Sequence, residues 1–194
     1  MAIGTRSILF GAHQFLLHPL FLAWAWWKLY GVPWDPRLWL AFVLHDLGYL
    51  GKPNMDGPEG ETHPEFAARL MGRLFGDDWA DFCRYHSRHN AKRDGVPYSR
   101  LCVADKLVIA LEPWWLYLPR VWATGELAEY LREAREAQPE SMFKQMGFGR
   151  AGTARQWFRD LQGYMRAWVA EHREGKPDTW TGCSATGSGT GVRP

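Results

Sequence analysis

Six residues in this chain carry side chains suited to holding divalent metal: His18, the adjacent pair His45-Asp46, His63, His86 and Asp105. Imidazole nitrogen and carboxylate oxygen are good ligands for first-row divalent ions, and a helical scaffold converges them from different turns and different helices. Long sequence gaps are therefore no obstacle. A lone histidine on an apolar helix is ordinarily a satisfied core residue, and His172 fits that description. The set is different, because His45-Asp46 closes the apolar run WLAFVLHD. A carboxylate buried there without a partner is expensive, so a cation or a hydrogen-bond network must compensate it. His13 competes with His18 for the first position. Five residues apart on a continuous helix the two would point about 140° apart, so only one could face the site. His18 is preferred because it immediately precedes the proline that opens a Trp-rich helix. His13 is left as a group behind the ligands, a catalytic acid if the helix breaks at Pro19, or core.

The elements that must position these residues all read as helix, with no alternating strand of useful length, so the fold class is all-α. Pro19 suits the first turn of a helix to Tyr30, closed by Gly31 and Pro33. Asp35-Pro36 reads as an N-cap with proline at N1, opening a helix through Leu47 that Gly48 stops, and this places the His-Asp pair on its last turn. Residues 48–61 are rich in Gly and Pro and form a loop beside the pair. Thr62 and Glu65 have capping-box spacing around His63-Pro64, starting a helix to Phe75. A further helix runs from Asp78 to His86 and His89, and DGVPY turns the chain into a helix containing Asp105 that Pro113 bends or ends. Apolar helix to Val121 and amphipathic helices over 125–137 and 153–171 follow. The expected organisation is one helical domain over 1–174, with the motif-bearing part at 10–115 and a flexible Gly/Ser/Thr-rich tail at 175–194.

Bulk properties narrow the partners. At 194 residues with 46% hydrophobic side chains and 12 Trp, the chain can build one real core. A net charge of +2 argues against stable nucleic-acid binding. Locally, Arg84, Arg88, Lys92, Arg93, Arg100 and Lys106 outnumber Asp94 and Asp105, a basic excess that would attract an anionic substrate or simply solvate a helix face. Cys83, Cys102 and Cys183 show no pairing pattern, and no secretory signal is present, so a cytoplasmic setting is expected. The uncharged stretch between Arg6 and Lys28 is nearly long enough to cross a bilayer. Its His13, Gln14, His18 and Pro19 make a buried helix pair the better reading. Peripheral membrane contact through the Trp cluster and a homodimer through unburied Trp surface both stay open.

The order His18, His45-Asp46, His63, His86, Asp105, within the segments HDLG, THPEFAARLM, YHS and VADKL, resembles the HD-domain superfamily of metal-dependent phosphohydrolases over residues 10–115. RYHS and ADKL followed by Glu-Pro look most like its bacterial members that cleave diadenosine polyphosphates. DGVPY is similar to a loop of the cyclic-di-GMP phosphodiesterase branch. The resemblance implies an HD-type helical bundle and a cytoplasmic enzyme that cleaves a phosphomonoester or phosphodiester of a nucleotide or related small molecule. It further implies divalent metal, one ion held by His18, His45, Asp46 and Asp105 and a second by His63 and His86 with Asp46 bridging. Iron or manganese would be the preferred ions, with zinc, magnesium, cobalt and nickel behind. Asp46, His63 and His86 would then be catalytic through the metals. Lys52, Arg88, His89 and Lys92 are candidates to hold substrate phosphate, and Lys106, one residue after a ligand on a helix, should point about 100° away.

This chain departs from the branch patterns at particular places. Tyr49 stands where the cyclic-dinucleotide branch has Lys, the adjacent histidine pair of that branch is represented only by His86 and His89, and the Glu of the nucleoside monophosphatase branch is missing. The substrate is therefore not named by the motifs. The same framework also serves mixed-valent di-iron oxygenases and can persist as a binding module, so three functional classes stay in play.

Overall fold

The structure is a computed structural model and describes residues 1–55, 57–136 and 152–174. The expected tail at 175–194 and most of the connection before the last helix lie outside the described residues. Described elements are helical throughout: α1 Ile3–Phe10, α2 Leu17–Tyr30, α3 Pro36–Leu44, α4 Pro64–Phe75, α5 Asp77–Arg84, α6 Arg88–Asp94, α7 Arg100–Leu111, α8 Trp114–Thr124, α9 Glu126–Glu136 and α10 Ala154–His172. Short 3₁₀ turns at Leu47–Tyr49 and Gly60–Thr62 flank the Gly/Pro loop. No described helix is long and apolar enough to cross a membrane.

Local chemistry explains most boundaries. Asp35 accepts the Arg37 backbone N–H with Pro36 at N1, as its sequence position predicts. Ser87, Ser99 and Thr153 accept from the N–H groups of Asn90, Cys102 and Gln156, starting α6, α7 and α10. Gly31 at φ +90° and Gly76 at φ +92° end α2 and α4 in a backbone region that L side chains rarely enter.

Helix α7 organises the interior. On one side Leu101, Ala104 and Val108 pack with Leu22 and Trp26 of α2, Phe42 of α3 and Met71 of α4. On the other, Cys102 and Val103 join Tyr117 and Val121 of α8 and Phe158, Tyr164 and Trp168 of α10. A helix apolar all round is buried on all sides, and α7 is so buried that its single acidic residue, Asp105, enters the interior with it. His172 is core, as expected: fully buried, its Nδ1–H reaching Trp168 O at 2.8 Å and its ring stacked on Trp168.

Three boundaries differ from the sequence expectation. Helix α3 stops at Leu44, so His45 and Asp46 lie just past its end and lead into the first 3₁₀ turn. Thr62 does not cap α4. Its hydroxyl donates to Glu59 O at 2.7 Å and accepts from Lys52 Nζ at 2.6 Å, and His63 occupies the cap position without a side-chain bond. The helix expected to run to His89 is two, α5 and α6, and His86 sits in the break between them.

Candidate metal centre

The six ligand candidates come from five places in the fold and meet in one buried cluster. His18 arrives on the first turn of α2, His45-Asp46 from the end of α3, His63 from the mouth of α4, His86 from the α5–α6 break and Asp105 from mid-α7. All six are buried. His18, His45, Asp46 and Asp105 form one group, and Asp46, His63 and His86 form another, the ligand atoms of each lying within 4.8 Å of one another. Asp46 belongs to both.

The shorter interatomic spacings match those within a coordination polyhedron. Donors about 2.0–2.2 Å from a common ion sit about 3–3.5 Å from each other. In the first group His18 Nε2 lies 3.3 Å from His45 Nε2, 3.3 Å from Asp46 Oδ2 and 3.1 Å from Asp105 Oδ1, and His45 Nε2 lies 2.9 Å from Asp46 Oδ2. In the second, His63 Nε2 and His86 Nε2 are 3.0 Å apart, and 3.7 and 3.6 Å from Asp46 Oδ1. The two oxygens of one carboxylate thus face two separate nitrogen sets.

Backbone hydrogen bonds fix which ring nitrogen faces inward. Nδ1 of His45, His63 and His86 reaches the carbonyl three residues earlier, Phe42 O at 3.0 Å, Gly60 O at 2.8 Å and Cys83 O at 2.5 Å. A carbonyl only accepts, so each Nδ1 carries hydrogen and each ring, when neutral, turns its Nε2 lone pair into the cluster. Two such lone pairs at 3.0 Å repel unless a proton or a cation lies between them. The donor set therefore fits divalent metal, and its tautomers are set by the backbone in advance.

Without metal, protons must do the compensating. Burial alone would lower the His45 pKa, but Asp46 and Asp105 outweigh it and raise the pKa to about 10. Burial would raise Asp46, yet His45 and His13 hold its carboxyl well below the ordinary range. His63 goes the other way, kept neutral by burial and by the neighbouring His86.

Residues around the ligands complete the cradle. Tyr49, standing where one branch of the resembled family has Lys, stacks on the His63 ring at 3.8 Å between centroids and 14° between planes. A Cβ on Gly48 would overlap the His63 carbonyl, so the first 3₁₀ turn can close against the start of α4 only with glycine there. Gly48→Ala must push these two segments apart, an expected loss of about 3 kcal/mol. A lower urea midpoint at unchanged slope, together with reduced metal content, checks it.

His13 and His18 are both near the site, which the single-helix argument did not allow. The chain breaks between α1 and α2, so the two rings lie 5.7 Å apart. His18 is the ligand candidate and His13 stands behind it. Ser7 Oγ donates to Glu126 Oε2 at 3.0 Å and so accepts from His13 Nδ1 at 2.8 Å. Glu126 is fully buried and also receives the Thr124 hydroxyl at 2.6 Å, over a glycine, Gly11, whose Cβ would collide with it. Burial lowers the His13 pKa to about 4. Nothing in local sequence pattern pairs Ser7 with Glu126, 119 residues apart.

Lys106 corrects a second expectation. Its backbone position does point away from Asp105, but its long side chain folds back, bringing Nζ to 2.8 Å from Asp105 Oδ2 while Oδ1 faces His18. The other predicted substrate contacts divide. Lys52 reaches Thr62, next to His63, and His89 is exposed at 4.0 Å from Glu61. Arg88 lies over the Trp168 ring at 5.1 Å, toward α10, and Lys92 is half-buried on α6. Much of the basic excess is likewise committed, Arg84 to Glu65 and Asp81 and Arg93 to Asp94. No protein-family model, curated protein or solved structure matches this chain.

Proposed function

We propose that this chain is an HD-type dinuclear phosphohydrolase acting on a phosphomonoester or phosphodiester of a nucleotide or related small molecule. The observation that carries the reading is the Asp46 carboxylate, whose two oxygens face two histidine groups with inward-turned Nε2 atoms. In the proposed assignment His18, His45, Asp46 and Asp105 hold one ion, and His63 and His86 hold the other with Asp46 between them. Two divalent ions so held would supply activated water near neutral pH and neutralise charge on the attacked phosphoryl group.

The chain's own residues have defined parts in this reading. The backbone carbonyls of Phe42, Gly60 and Cys83 orient the three rings, and Tyr49 fixes the plane of His63. Lys106 holds the outer oxygen of Asp105, leaving the inner one for metal, and places an ammonium at the cluster where a phosphate oxygen could share it. Lys52 is the remaining candidate cation near His63.

A panel of phosphoesters assayed on protein of measured metal content, with and without oxygen, tests the proposal. Oxygen-independent phosphate release that follows metal loading is the expected result. Turnover that requires oxygen would replace hydrolysis with oxidative chemistry, and bound metal without turnover on any ester would leave a binding module. His86→Ala should lower the content from two equivalents to one, since it removes one of the two nitrogens opposite Asp46 Oδ1. One equivalent in both wild type and variant would mean a single-ion site.

A further inference from the structure

Helix α2 is apolar around its whole circumference except for His18 and Lys28 in its last turn, yet among the described residues protein covers only one side of it. Leu22, Ala25 and Trp26 are buried against α3 and α7. Leu16, just before the helix, and Leu20, Trp24 and Trp27 on it are 60%, 60%, 39% and 58% exposed. At about 100° per residue these four fall within an arc of about 80°, a continuous stripe on the face opposite the core. Trp34, just beyond the helix end, is 85% exposed. An all-apolar helix needs an apolar surrounding on both sides, and the described residues supply it on one.

Charge decides between the occupants. Residues 1–34 contain no Asp or Glu, and Lys28, exposed in the last turn of α2, holds its Nζ 5.1 Å from the Trp24 ring centroid. The first acidic residue, Asp35, is chelated by Arg37. A second copy meeting this face about a two-fold axis would bring a second Lys28 and no carboxylate from the stripe itself. Anionic lipid headgroups supply that charge. Trp and Lys are also the side chains that settle at the boundary between headgroup and acyl chain. We infer that the Leu16, Leu20, Trp24 and Trp27 face seats on a phospholipid bilayer, with α2 lying in the plane of the interface and His18 directed away from it into the protein. This is independent of the reaction proposed above.

Sedimentation with vesicles of phosphatidylcholine, with and without phosphatidylglycerol, tests it on the full chain. The wild type should bind vesicles containing phosphatidylglycerol, with a blue shift in Trp emission and weaker binding at high salt. Leu20→Ser with Trp27→Ser should weaken binding about tenfold or more, the loss of two large apolar insertions. Lys28→Glu should reduce the preference for phosphatidylglycerol. Because all three side chains are exposed, melting temperature and metal content should stay at wild-type values, which separates lost docking from lost fold. No sedimentation of the wild type would overturn the inference. So would a vesicle-free dimer that the double variant dissociates, because the face would then belong to a second copy of this chain.

Discussion

Asp46→Ala is expected to remove both metal equivalents at once and to lower turnover by roughly a thousandfold or more, while helix content stays near wild type. No other candidate ligand has this reach, because among the described residues Asp46 alone contributes to both groups. Loss of His63 or His86 leaves the four-residue group intact, whereas loss of Asp46 reduces it to His18, His45 and Asp105 and leaves the second group as a bare histidine pair. The stability readout is separable from the activity readout. An ion present at about a thousand times its Kd stabilises the native state by about 4 kcal/mol, and Asp46→Ala should show little of that metal-dependent rise in melting temperature. Without metal the variant should also be less stable near neutral pH, because Asp46 is the main charge that raises the pKa of the buried His45 and so contributes stability there. Full metal content or undiminished turnover in Asp46→Ala would refute the bridging role.

The cluster of candidate ligands was legible because its chemistry overrides local pattern. An aspartate after a histidine at the end of WLAFVLHD has no good apolar explanation, and the all-helical periodicity put its partners on segments able to converge. What was not legible depended on reach or on distant contacts. Periodicity places a Cβ, but the four methylenes of Lys106 let its ammonium return to Asp105. The break that brings His13 alongside His18 is stabilised by Arg120 donating to Gly11 O and by Glu126 accepting from Ala12 N–H, both more than a hundred residues away. Likewise Thr62 had the spacing of a capping box, yet its hydroxyl was taken by Glu59 O and Lys52, partners that the loop fold creates.

The same departures give the site its rigidity. His63 is held from three directions: Gly60 O on Nδ1, the Tyr49 ring on its face and the Gly48 turn against its carbonyl. His45 and His86 each repeat the carbonyl bond three residues back. Rings fixed in this way lose little freedom on binding an ion, so the cluster is organised before metal arrives. That arrangement is costly without metal, because inward lone pairs and buried carboxylates then depend on shared protons.

Metal binding should therefore expel a proton, and its source is His45. In the metal-free protein Asp46 and Asp105 raise the His45 pKa from 6.5 to about 10 against the opposing effect of burial, so the ring is an imidazolium at neutral pH. A ligand nitrogen must be free of its proton. Between pH 7 and 9 the apparent affinity for the first ion should consequently rise about tenfold per pH unit, with one proton released as the ion binds. The neutral His63 contributes none. Calorimetry in buffers of differing ionisation enthalpy measures that proton, and zero release at pH 7.5 would show that His45 is already neutral. Stability should follow the same linkage. A raised histidine pKa contributes stability that is complete below 6.5 and is lost as pH climbs toward about 10, so the metal-free protein weakens across that range. The lowered pKa values of His13 and His63 act oppositely, contributing stability above 6.5 that is lost as pH falls, toward about 4 for His13. The metal-free chain should thus be most stable near pH 6.5. With metal bound the His45 contribution disappears from the alkaline side, and melting curves of the two forms should diverge steadily from pH 7 to 9.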